Sequence, residues 1–198
     1  MFKKFVILML LALVICAEAL TLRLYLEQRD LAARLIRLHV VAASDDPADQ
    51  ARKLRVRDAL LPEVAALTGD CADAEAAAAA LREALPALER TAARSLGAGE
   101  TVTASLTWEL FPRREYETFS LPAGSYRALR VCLGAGQGHN WWCVAFPSLC
   151  LPASVEEFRQ TAAQAGLSES EIELVTADTA EVRFKFRLLE WIHELFEP

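Results

Sequence analysis

Arg34-Leu-Ile-Arg-Leu-His-Val-Val-Ala42 leads through Ala43-Ser44-Asp45 into Asp46-Pro47. The opening run is short, apolar and partly β-branched, and turn formers close it, which predicts a strand. Asp46 and Pro47 then predict a helix start, with Asp46 as N-cap and Pro47 at N1, where a missing N–H costs nothing. From there Val56, Leu60, Val64 and Leu67 recur at helical spacing and carry the helix to about Leu67. Pro62 lies inside it and predicts a kink or an early end.

A second helix is expected from roughly Ala72 to Leu96, with Leu81, Leu85, Leu88 and Ala92 on one face and a kink at Pro86. Gly97-Ala98-Gly99 stops it. Thr101 to Trp108 alternates polar and apolar residues, so Val102, Ala104, Leu106 and Trp108 share one face of a strand that Phe111-Pro112 ends. Phe119 to Gly124 is a short turn-bounded segment. Tyr126 to Leu133 and Trp141 to Phe146 read as two more strands. Ser154-Val-Glu-Glu157 is a capping box opening a helix that ends at Gly166. Val182, Phe186, Leu189, Ile192 and Phe196 predict a long C-terminal helix. The order β-α-α-β-β-β-α-α gives an α+β class: a single domain with a small mixed or antiparallel sheet packed by helices, behind an N-terminal signal or anchor helix.

That N-terminal segment has Lys3 and Lys4 ahead of an unbroken apolar run from Phe5 to Ala17. The run is short for a bilayer span and suits a signal sequence, and Ala17-Glu18-Ala19 offers a cleavage site after Ala19. An uncleaved anchor is the alternative, since Leu20, Leu22, Leu24 and Leu26 continue the apolar character. A lipoprotein reading at Cys16 is weak, because Ile15 is bulky where a small residue is expected. The chain thus divides into residues 1–19 as signal peptide or membrane anchor, 20–33 as a helical stalk with leucines at 24, 31 and 35, and 34–198 as an exported domain. Export makes disulfides permissible. Cys71, Cys132, Cys143 and Cys150 remain if the signal is removed. A Cys143–Cys150 bridge is the preferred pairing, against reduced core cysteines or a nucleophile.

The most unusual chemistry lies in Gly134-Ala-Gly-Gln-Gly-His-Asn-Trp-Trp-Cys143 and on to Cys150. The glycines match neither the dinucleotide fingerprint nor a P-loop, so a turn is expected there. His139 and Cys143 could serve as base and nucleophile of a thiol or wall-acting hydrolase. On one extended strand, however, they would stand about 13 Å apart. A zinc site from His139, Cys143 and Cys150 lacks an evident fourth ligand, so no metal is assigned. His39 reads as a satisfied core or edge histidine. Trp141 and Trp142 should point to opposite faces, one into the core and one to the surface or a partner. His139, Asn140, Trp141 and Trp142 are therefore the candidate partner-binding residues. A net charge of -6 disfavours non-specific nucleic-acid binding, and Arg52-Lys-Leu-Arg-Val-Arg57 reads as a solvated helix face.

Two blocks carry a family resemblance. One is Ile36-Arg-Leu-His-Val-Val-Ala-Ala-Ser-Asp-Asp-Pro-Ala-Asp-Gln-Ala-Arg-Lys-Leu-Arg-Val-Arg-Asp58; the other is Leu121-Pro-Ala-Gly-Ser-Tyr-Arg-Ala-Leu-Arg-Val131 with Gly136-Gln-Gly-His-Asn-Trp-Trp-Cys-Val-Ala-Phe-Pro147. They resemble stage II sporulation protein R of endospore-forming bacteria. Ala43 departs from the asparagine the family often carries there. The resemblance implies a signal made in the forespore and exported across its membrane into the intermembrane space. It implies a partner, a membrane-embedded aspartic-type protease that processes the sigma-E precursor. It implies an activator and not an enzyme, with no cofactor.

Overall fold

The computed structural model describes residues 2–97, 101–149 and 154–177, together with 185, 187, 188, 190 and 191. Strand β1 (Ile36–Val41) is buried at every position, which requires cover on both faces of its sheet. It lies inside a four-stranded mixed sheet in the order β2-β5-β1-β6, with β2 at Val102–Phe111, β5 at Gly124–Leu133 and β6 at Asn140–Phe146. β1 runs parallel to β5, pairing Ile36 with Arg127 and Val41 with Cys132. β6 and β2 are antiparallel to their neighbours. The small strands β3 (Arg114–Glu115) and β4 (Ser120–Leu121) form a separate hairpin, of which only β4 lies in the Phe119 to Gly124 segment expected to be turn-bounded.

One face packs on α2 (Pro47–Thr68) and α3 (Ala74–Leu96). Val56, Leu60 and Val64 of α2 and Leu81, Leu88 and Ala92 of α3 are buried against Leu38, Val40, Leu129 and Val131. Burial of each large aliphatic side chain contributes about 1.5–3 kcal/mol. Both helices continue through their prolines, so Pro62 does not end α2. Pro47 stands at the helix start as expected, but the Asp46 side chain makes no cap hydrogen bond; its N–H instead donates to Ser44 Oγ.

The other face is covered by α4 (Val155–Gln164), α5 (Glu169–Thr176) and the end of α1 (Phe2–Ala33). Leu31, Leu35, Phe111, Tyr126, Val144, Phe158 and Ile172 meet there. Ser154 caps α4 by accepting the Glu157 N–H. α5 is an element the sequence reading missed, although Ser168 and Glu171 form a complete capping box. Of the expected C-terminal helix, Lys185, Arg187, Leu188, Glu190 and Trp191 are helical; the rest of Val182–Phe196 lies outside the described residues.

α1 runs without interruption from the signal segment through the stalk. It is long and apolar enough to cross a membrane, a property that signal sequences share. Its last turns belong to the domain: Leu24, Gln28, Leu31 and Ala32 are buried. Two of the predicted stalk leucines therefore pack into the fold, with Leu35 beyond them.

Arg37 is the largest fully buried side chain. Its Nη2 donates to Tyr116 Oη at 2.7 Å, and its guanidinium lies 4.2 Å from the centre of the Phe111 ring. Burial pulls its pKa down, with the tyrosines opposing that shift. Tyr126, 5.3 Å from the same cation, is pushed up to about 12 by burial. A cation over aromatic faces here takes the place of a buried ion pair.

Candidate functional site

The candidate site is built at the C-terminal ends of the parallel strands β1 and β5, where the two sequence blocks meet. The β1–α2 loop contributes Ala42 to Asp46, and the β5–β6 loop contributes Gly134 to His139. Backbone bonds zip them together: Gly138 N–H donates to Ala42 O at 2.9 Å and Gln137 N–H to Ala43 O at 3.2 Å. Gly138 has to be glycine, because a Cβ there would fall 2.2 Å from Ser44 O. Gly134 and Gly136 adopt positive φ, the turn conformation expected of this segment.

Side chains fasten the same junction. Asp45 accepts from the His139 backbone N–H at 2.6 Å and also contacts His139 Nδ1. The hydrogen bonds from His139 hold the Asp45 carboxyl below its ordinary pKa. Lys53 Nζ, reaching from α2, donates to His139 O at 2.9 Å and to Gln50 Oε1 at 2.6 Å. Lys53 is thus buried and structural, which corrects the reading of the whole basic run as a solvated face. Burial lowers its pKa. Ser44 Oγ donates to Asp49 at 2.6 Å and fixes the start of α2. Asp58 pairs locally with Arg57.

A second polar group lies beside this junction on the sheet. His39 Nδ1 is 2.7 Å from Glu109 Oε2, and its Nε2 is 2.9 Å from Asn140 Oδ1. Arg130 Nη1 donates to Glu109 Oε1 at 3.0 Å, and Arg130 Nε approaches Cys132 Sγ at 3.1 Å. Burial alone would raise the Glu109 pKa, but the bonds from His39 and Arg130 outweigh it and the net shift is downward. His39 is the satisfied histidine the sequence predicted. Glu109, Arg130 and Cys132 were missed, because they come from strands whose pairing has no local signal.

Of the residues singled out, His139 and Asn140 stand at the site: the His139 side chain is 79% exposed and Asn140 bridges to His39. Trp141 and Trp142 do point to opposite faces, Trp141 towards the α2–α3 core and Trp142 towards the other. Neither is free at the surface, however. Both are half-buried, Arg57 lies 5.3 Å over Trp141, and Arg114 lies 4.0 Å over Trp142. The expectation of one surface tryptophan fails because both faces of the sheet are covered. Cys143 is 3% exposed among core residues, facing Leu38, while His139 lies in the exposed loop. The structure does not bring this thiol and imidazole together as a base and nucleophile would require. Cys150 lies outside the described residues, and with it the proposed bridge. The free thiols among the described residues are Cys16, Cys71 and Cys132. No group of three or more metal-ligating side chains occurs among the described residues.

The arrangement presents a hydrogen-bonded polar loop junction with one exposed imidazole, carried on an α+β domain at the end of a long apolar helix. Residues 32–156 match the family model for stage II sporulation protein R. The chain is also 33% identical over 181 residues to the stage II sporulation protein R of Bacillus subtilis strain 168, covering 81% of each chain. It belongs to the stage II sporulation protein R family, and is a sporulation protein. No solved structure matches it.

Proposed function

We propose that this chain is an intercellular sporulation signal. It is exported from the forespore into the intermembrane space, where it switches on a membrane-embedded aspartic-type protease that processes the sigma-E precursor. Family membership carries this reading, and the apolar α1 supports export or anchoring. The chain acts as an activator without catalytic work of its own, so it must bind the active arrangement of the protease more tightly than the inactive one. Contact is made by the loop junction, with His139 and Asn140 at its centre; Trp141 and Trp142 hold the loop from beneath.

Polarity along β1 supports the assignment. α1 enters the domain at the N-terminal end of β1, and the junction sits at the C-terminal end of the same strand. An anchored domain would then hold its loops away from its own membrane, towards the facing one. The test is the combined variant His139→Ala, Asn140→Ala, assayed for sigma-E precursor cleavage in sporulating cells. Cleavage should fall at least tenfold while the purified variant melts as a folded protein. Undiminished cleavage would remove the junction as the contact surface.

A Cys143–Cys150 bridge clamping the end of β6 is part of the same proposal. The other three cysteines are free thiols, and Cys143 is buried. Single and double serine variants should lose stability together, with signalling tracking the folded fraction. One single variant that folds normally yet is inert would instead indicate thiol chemistry.

A further inference from the structure

α1 leaves the domain beside a surface that its fold does not cover. A groove of about 1010 Å³ runs between the helix and the end of β2, lined by Leu13, Val14, Leu22, Tyr25 and Trp108 among others. Trp108 and Leu110 continue the face of β2 that carries Val102, Ala104 and Leu106, yet each is 53% exposed. Leu22, which lines the groove, and Leu26 one turn further along α1 are exposed as well. Soluble domains seldom leave so much contiguous apolar surface to water.

The surroundings point to lipid as the occupant. The groove is continuous with the membrane-competent stretch of α1, none of which is buried by the domain. Lys3 and Lys4 precede that stretch and Arg23 follows it. At 1.5 Å per residue, Lys4 to Arg23 covers about 29 Å, the thickness of a hydrocarbon core. The bilayer boundary then falls at Arg23 to Tyr25, midway along the stretch of α1, Leu13 to Ala33, that lines the groove. Glu18, about 7 Å inside that boundary along the helix, lines the groove. Arg127, whose guanidinium lies 5.4 Å from the Trp108 ring centre and pairs with Glu75, completes the aromatic and basic pairing typical of membrane interfaces.

We propose that the α1 end of the domain is seated on the lipid bilayer. Trp108 and Leu110 enter the headgroup boundary, and acyl chains fill the groove beside α1. The seat fixes the tilt of the domain, and so the direction in which the loop junction faces. This inference rests on α1 remaining in the membrane, and its test separates the two.

The full chain is reconstituted into phosphatidylcholine–phosphatidylglycerol vesicles whose acyl chains carry bromine near the headgroup, and tryptophan emission is recorded. Retention of the chain through alkaline carbonate extraction reports on α1. Bromolipid quenching that Trp108→Phe removes, and Trp191→Phe leaves, supports the seat. Near-UV circular dichroism checks that both variants fold. A chain that resists extraction but whose Trp108 is unquenched, and reached by acrylamide as in detergent-free buffer, overturns the seat and leaves the anchor standing. A chain that carbonate extracts overturns both.

Discussion

At the N-terminal end of β1, the domain closes on α1 with Leu24, Leu31, Ala32 and Leu35, all buried and all apolar. At its C-terminal end, two loops are joined by backbone and side-chain hydrogen bonds around Asp45, Lys53, Gly138 and His139. Apolar contact is non-directional and strong per side chain, so it fixes where α1 sits. Hydrogen bonds are directional and individually modest, so they fix loop shape more than stability. Damage at the two ends should therefore look different. The first end should fail by unfolding, and the second by losing function in a protein that remains folded.

The largest effect is expected from Leu31→Ala, which leaves a cavity under α1. It should cost about 3 kcal/mol in chemical denaturation, and signalling should fall only as far as the folded fraction does. Gly138→Ala comes next. Its Cβ would collide with Ser44 O, and prising the loops apart should cost about 2 kcal/mol while abolishing signalling beyond what unfolding explains. Lys53→Met keeps the buried stem and removes the bond to His139 O. About 1 kcal/mol of stability should go, and hydrogen exchange at the loop should quicken while α3 stays protected. The smallest effect is a pH dependence. Asp45 has a lowered carboxyl pKa in the folded state, so its contribution is present above the ordinary carboxylate range and is lost as pH falls through the lowered value. The His139 amide resonance should shift on that acidification. His139→Ala should return the Asp45 titration towards the usual range. If Leu31→Ala left stability intact, or Gly138→Ala simply unfolded the chain, the contrast between the two ends would be wrong.

Much of the fold could be read from local pattern. The β1-to-α2 passage, the Val56–Leu60–Val64 stripe and the alternation of Val102, Ala104 and Leu106 each express a period that one face of one element imposes. What pattern could not supply was pairing. The parallel match of β1 with β5 joins segments about ninety residues apart in register, with two helices and three strands between them among the described residues. Without it, Glu109 and Arg130 cannot be placed beside His39, and Arg37 cannot be seen as a core cation. The tryptophans show the same limit. Strand periodicity gives their opposite directions, but only tertiary structure reveals that both directions lead to cover. α5 is a different case, since the Ser168–Glu171 cap was visible in the sequence and went unread.

The first buried residue along α1 is Leu24, five positions beyond the expected cleavage point after Ala19. A cut there would release the apolar leader and subtract no side chain from either core. The fold is thus indifferent to its own processing. If the chain acts as proposed, a single peptide bond decides between a tethered and a released form, at no cost to the folded domain.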